Sequence, residues 1–207
     1  MTGPRRDGRC RPRRGGRGLR LVAYAAAACL AALVAWPAWL QLTGNFHEVV
    51  PGRLYRSAQP DAHDLARIAA ETGIRSVLNL RGAQRGKPWY QAEIAESKAL
   101  GLAHVDFKMS ARRTLAPDEI AHLAETLSEM PQPLLIHCRA GADRTGLASA
   151  LFLLTVENAP AEAAGRQISF AYGHVGLPVL SDAWAMDQSW DVAKAMFPVA
   201  EVSASKG

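Results

Sequence analysis

Residues 133–158 constrain the fold of this chain more than any other segment. The run Pro133-Leu134-Leu135-Ile136-His137 is short and apolar, as a buried strand requires. A small glycine-containing loop follows, and then Thr145 to about Asn158 form a strongly apolar stretch of helical length. A buried strand feeding a buried helix demands a layered α/β core around both.

The rest of the chain repeats that alternation. Residues 43–60 read as a linker leading into a short strand around Arg53 to Arg56. Asp61 is placed to cap a helix through about Thr72, stopped by Gly73. Ile74 to Leu80 is apolar and β-branched, hence a strand, and a loop with Arg81, Gly82, Arg85, Gly86 and Lys87 follows. Pro88 opens a helix to about Leu100, ended by Gly101. Leu102 to Lys108 is the next strand, and Pro117 opens a helix to about Met130. Two further helices are predicted, roughly Ala161 to Tyr172 and Ser181 to Met196, with Trp184 and Trp190 as packing residues. The pattern predicts an α/β domain over residues 43–198, with a central, mostly parallel sheet flanked by helices and a frayed end over 199–207.

A pI near 9.4 raises the question of a nucleic-acid partner. Eight of the arginines fall within residues 1–20, against one acid, Asp7. The net charge of the whole chain is only +5, so the body is mildly acidic and offers no basic face for a nucleic acid. Directly after the basic block, Leu21 to Leu40 are apolar apart from the hydroxyl of Tyr24. At 1.5 Å per residue such a run spans about 30 Å, the thickness of a bilayer's hydrocarbon core. The expected organisation is a basic cytoplasmic tail over 1–20 and a single transmembrane signal anchor over 21–42. By the positive-inside rule the following domain lies across the membrane, periplasmic on a bacterial inner membrane. A cleaved signal peptide fits less well, because the apolar run is long and no clear Ala-x-Ala site follows it.

Of the three cysteines, Cys10 lies in the tail, Cys29 in the apolar run, and Cys138 alone in the domain. A disulfide framework is excluded there, which leaves a chemical reason for Cys138. It opens the segment Cys138-Arg139-Ala140-Gly141-Ala142-Asp143-Arg144-Thr145-Gly146, between strand and helix. A loop with five residues between cysteine and arginine can curl its N–H groups toward one centre, where the helix also directs its positive end. Gly141 permits backbone angles that a β-carbon resists. Arg144 can grip two oxygens of a phosphate with its planar fork. The same field favours the thiolate of a cysteine placed within it. Thr145 can donate its hydroxyl to the sulfur, and His137 orients the loop.

This segment resembles the signature His-Cys-x-x-Gly-x-x-Arg-Ser/Thr-Gly of the protein tyrosine phosphatase superfamily, and fills every specified position. The resemblance extends over most of residues 46–157. Val50 to Pro60 (VPGRLYRSAQP), Leu78-Asn79-Leu80-Arg81 and the GADRTG loop look like the bacterial branch of dual-specificity-like phosphatases. It implies a central sheet flanked by helices and hydrolysis of phosphate monoesters through a phosphocysteine. It also implies chemistry without a metal or cofactor. Cys138 would be the nucleophile, Arg144 the phosphate grip, and Arg139, Ala140, Gly141, Ala142 and Asp143 the phosphate-binding loop.

In that family an aspartate roughly thirty residues before the cysteine serves as general acid. Asp106 lies 32 positions before Cys138 and is the first choice; Asp118, in the expected first turn of a helix, and Asp143 stay open as alternatives. Asp143 is otherwise expected to hold a neighbouring backbone group or arginine. Arg81 and Arg85 are either anion contacts or solvated surface groups. His47, His63, His104, His122 and His174 lack metal-ligand spacing and are expected to fill surface or core roles. With a membrane anchor, the expected substrate is a phosphorylated lipid; a phosphoprotein is the alternative. A phosphate-binding pseudophosphatase and a sulfur transferase are the rival readings of the loop.

Overall fold

The computed structural model describes residues 15–178 and 180–198. Most of the expected basic tail, and the expected frayed end over 199–207, lie outside the described residues. The chain divides into two compact units, residues 1–36 and 37–207.

Helix α1 (Gly15–Leu42) carries the apolar run. Within it, the 23 residues Arg20–Leu42 contain an 18-residue window with a mean hydropathy of 1.9, long and apolar enough for a membrane span or a signal sequence. Leu21, Val22, Leu30 and Val34 are 64–69% exposed, so this surface has no protein cover among the described residues.

In the second unit, β1 (His47–Val50), β2 (Leu54–Ser57), β3 (Ser76–Asn79), β4 (Ala103–Asp106) and β5 (Leu134–His137) form one sheet in the order β1-β2-β5-β3-β4. Four strands are parallel and β1 runs antiparallel at the edge, which is the mostly parallel α/β fold expected. Strand β1 lies inside the stretch read as a linker. Pro51-Gly52 looks like linker sequence but turns a hairpin, with Gly52 at φ +65° and Arg53 N–H donating to the Val50 carbonyl at 3.0 Å.

The helices α2 (Ala62–Thr72), α3 (Pro88–Ala99), α4 (Pro117–Glu129) and α5 (Asp143–Thr155) fall close to their expected positions. Asp61 accepts from the Asp64 N–H at 2.8 Å, and Gly73 ends α2 at φ +66°. The helix expected over Ala161 to Tyr172 is instead a short α6 (Ala161–Gly165) and a 3₁₀ turn at Phe170–Tyr172. The cause is tertiary: the Gln167 carbonyl and side chain both serve Arg56, and the Trp190 indole fills the space beside Gly165. The last helix, α7, begins at Trp184 and runs to Met196, with Trp190 buried as expected.

Strand alternation sorts the core into two layers. Leu54, Leu78, Leu134 and Ile136 face one side, packed with Leu123 of α4, Phe152 of α5 and Met186 of α7. Tyr55, Val77 and Leu135 face the other, against Leu65 and Ile68 of α2. Register then aligns Ser57, His137, Asn79 and Asp106 in a row across the ends of β2, β5, β3 and β4. This carboxyl edge is where open parallel sheets bind ligands.

Candidate active site

Cys138 follows β5 directly and is 2% exposed. From there to α5 the backbone carbonyls are held from outside. Arg139 O accepts from the Gln59 N–H at 3.3 Å. Ala140 O accepts from Gln41 Nε2 at 3.1 Å and Asn45 Nδ2 at 3.0 Å. Gly141 O and Ala142 O accept from one guanidinium nitrogen of Arg56, at 2.8 and 3.3 Å. The N–H groups of residues 139–142 meet no backbone acceptor among the described residues. A peptide whose carbonyl is fixed outward turns its N–H inward, so the clamps build the anion nest. Gly141 sits at φ +69°, and a β-carbon there would lie 2.6 Å from the Ala58 nitrogen.

Arg56 is fully buried. Its second terminal nitrogen donates to Gln167 O at 2.9 Å and Gln167 Oε1 at 2.7 Å, and its guanidinium lies 3.8 Å from the centre of the Tyr172 ring. Burial pushes its pKa down to about 10, partly opposed by Tyr172 and Cys138, so it stays a cation at neutral pH. Sequence alone suggests for Arg56 a place in a strand bordering the pocket, with Ser57 and Gln59, but not this role. A buried arginine in a strand beside a glycine loop is the signal that was available.

Arg144 Nη1 donates to the Leu80 and Met109 carbonyls, each at 3.3 Å. Its side chain lines a cavity of about 590 Å³ with Arg81, Lys108, Met109, Arg112 and Arg113. Arg112 pairs with Asp182 at 3.0 Å and Arg113 with Glu119 at 2.6 Å. Arg81 stacks over Trp89 at 3.7 Å and donates to Gln59 Oε1 at 2.9 Å. Burial, with Arg144 and Arg139 nearby, lowers the Arg81 pKa, and Cys138 opposes the shift. Arg81 therefore lies within electrostatic reach of Arg144, Arg139 and Cys138. Arg85, by contrast, is exposed.

Thr145 is buried and its hydroxyl has no partner among the described residues, which leaves it free for a group in the loop. His137 presents Nε2 to Glu93 Oε1 at 3.2 Å, and His104 presents Nε2 to the same oxygen at 2.7 Å. Gln59 donates to the other Glu93 oxygen. Burial raises the Glu93 carboxyl pKa, but the hydrogen bonds from His104, His137 and Gln59 and the His137 charge outweigh it and bring it to about 2. Glu93 and His104 thus brace the strand end before Cys138, more than the core filling expected of His104.

Among the acids, Asp106 ends β4 and accepts from Asn79 Nδ2 at 2.8 Å and from the Tyr90 hydroxyl. In the sheet it stands two strands from His137, roughly 10 Å. Asp118 is exposed in the first turn of α4. Asp143 gives its Oδ1 to His174 Nδ1 at 2.8 Å, rather than to the backbone group or arginine expected. The connection from Phe107 to Ala116 contains no carboxylate, so these three remain the candidates.

A buried cysteine between a parallel strand and a helix, in a loop whose carbonyls are clamped outward, is an arrangement that suits a cysteine-based phosphatase. The family comparison agrees: the chain belongs to the tyrosine phosphatase family, whose pattern it matches over residues 41–164, and it is a phosphoric monoester hydrolase of that family. No curated protein matches the sequence. The fold is similar to that of TpbA from P. aeruginosa, with 21% identity and a TM-score of 0.54 over 74% of this chain and 91% of that one. It is also similar to the PP-IP phosphatase SIW14 from S. cerevisiae, with 23% identity and a TM-score of 0.53 over 70% and 85%. PTPMT1 matches at 15% identity and a TM-score of 0.51 over 73% and 97%.

Gly141→Ala is expected to weaken tungstate binding by about ten-fold or more, measured by calorimetry, because the loop must open to admit the methyl group. Glu93→Gln gives a second test, through pH. A depressed carboxylate stabilises the fold fully above its unfolded pKa of 4.5 and loses that contribution as pH falls toward about 2. Urea midpoints of the native chain and Glu93→Gln should therefore differ near pH 6 and converge as pH drops below 4.5.

Proposed function

We propose that this chain is a membrane-anchored phosphatase that removes phosphate from phosphorylated lipid headgroups through Cys138. The observation that carries the lipid assignment is the wiring of the site to the end of the apolar helix. Gln41 and Asn45, at and just past the end of α1, both donate to the Ala140 carbonyl inside the loop. Asn45 also donates to the Tyr172 carbonyl at 2.9 Å, and the Ala58 N–H donates to Gly44 O at 2.8 Å. These contacts tie residues 41–45, at the C-terminal end of α1 and just beyond it, to the loop. The uncovered apolar surface of α1 supports a bilayer setting. The basic cavity suits a substrate with anionic groups beyond the scissile phosphate. Of the similar structures, PTPMT1 has been solved in complex with PI(5)P and TpbA with pTyr.

In this reading Cys138 Sγ attacks phosphorus while the bond to the leaving oxygen breaks, and Asp106 gives that oxygen its proton. The loop N–H groups and Arg144 hold the three equatorial oxygens as their charge develops. Water then displaces Cys138, giving its proton to Asp106, and inorganic phosphate leaves. The Thr145 hydroxyl donates to the departing sulfur. Asn79 and Tyr90 hold Asp106 near the site until substrate replaces one of them.

Phosphate release by the full chain in lipid–detergent micelles should be at least about ten-fold faster, as kcat/KM, on phosphatidylglycerophosphate or lipid A phosphates than on a phosphotyrosine peptide. Equal or reversed rates would assign the site to phosphoproteins, and no release from either would leave a phosphate-binding pseudophosphatase. Asp106→Asn is expected to lower kcat about 100-fold on an alkyl phosphate and far less on p-nitrophenyl phosphate, whose leaving group needs little protonation. A selective loss in Asp118→Asn instead would move the role there.

A further inference from the structure

The loop contains one carboxylate, Asp143, immediately before Arg144. A negative charge in a dianion site opposes binding unless it is neutralised. A neutralising group lies beside it. His174 is 5% exposed and sits between two acids, with Nδ1 2.8 Å from Asp143 Oδ1 and Nε2 2.9 Å from Asp187 Oδ2. Only an imidazolium donates from both nitrogens at once. The bridge joins the start of α5 to α7, and its surroundings are tight: a β-carbon on Gly176 would fall 2.1 Å from Asp187 Oδ2.

We infer that His174 is a positioning residue for the phosphate site: as a cation held by Asp187, it neutralises and orients Asp143 so that the loop accepts a dianion. The inference rests on the assignment of residues 138–144 as the phosphate loop. It also settles a choice of chemistry at Asp143, since a carboxylate held against an imidazolium serves as its counter-ion and not as a proton donor.

The charged groups facing the imidazole are Asp143 from α5 and Asp187 from α7; its own loop contributes none among the described residues. Burial pushes the His174 pKa down, but the hydrogen bonds and charges of both acids outweigh it, and the pKa stands above the usual 6.5. The sign follows by linkage: the bridge is complete below the ordinary histidine value and is lost as pH rises through the raised value. Anion binding should weaken over the same window, and a bound dianion should raise the His174 pKa in return.

The test needs no turnover. Tungstate, kept dilute enough to stay the monomeric dianion, is titrated into the full chain carrying Cys138→Ser, by calorimetry between pH 5.5 and 9. Affinity is expected to fall by about ten-fold as His174 loses its proton, which corresponds to one pH unit of reciprocal shift. Adding His174→Gln should give weak binding at every pH. Adding Asp187→Asn should move the break to lower pH while leaving low-pH affinity intact. A break unmoved by Asp187→Asn, or a His174→Gln profile that follows the native one, overturns the inference. Should His174→Gln not fold, the Asp187→Asn profile and an NMR titration of His174 decide alone; a histidine pKa at or below 6.5 overturns the inference too. Failure of the phosphatase reading looks different: tungstate would not bind at any pH, or would bind with native affinity to a chain lacking the Arg144 guanidinium.

Discussion

One buried cation organises the working part of this molecule. Arg56 spends its two terminal nitrogens on four acceptors, two in the loop after Cys138 and two on Gln167. Without such a donor, those carbonyls would compete with an incoming anion for the centre of the loop. A guanidinium has no acceptor site and keeps its charge even when burial lowers its pKa, so it can do this where lysine could not. The arrangement also breaks the helix expected after Ala161, because Gln167 is claimed for the clamp.

The sheet supplies the second level of order. Parallel register puts Ser57, His137, Asn79 and Asp106 on one line, so the loops that leave those strands converge. Glu93 ties the line to α3 by gathering His104, His137 and Gln59 around one carboxylate. Gln59 passes the constraint on to Arg81, and Arg81 to Trp89. Rigidity at the sulfur thus derives from a polar network at the carboxyl edge of the sheet and apolar cores on both of its faces.

Much of this was legible in the primary structure. Periodic elements with their own punctuation, such as the helix between Asp61 and Gly73 or those opened by Pro88 and Pro117, declare themselves locally. The Cys138–Arg144 loop was legible because its spacing encodes a backbone shape. What escaped depends on partners far apart in the chain. Arg56 and Gln167 are 111 positions apart, and His174 and Asp143 are 31 apart. Neither pair leaves a periodic trace. Strand β1 was hidden for a different reason: Pro51-Gly52 suggested slack where there is a tight turn.

The absence of slack at Gln41 to Asn45 has a mechanical consequence. A loop fastened to residues 41 and 45 has no freedom of its own there: whatever pulls on that short segment pulls on the Ala140 carbonyl as well. Insertion of even one residue between them would release one donor or the other and loosen the pocket from a point outside it.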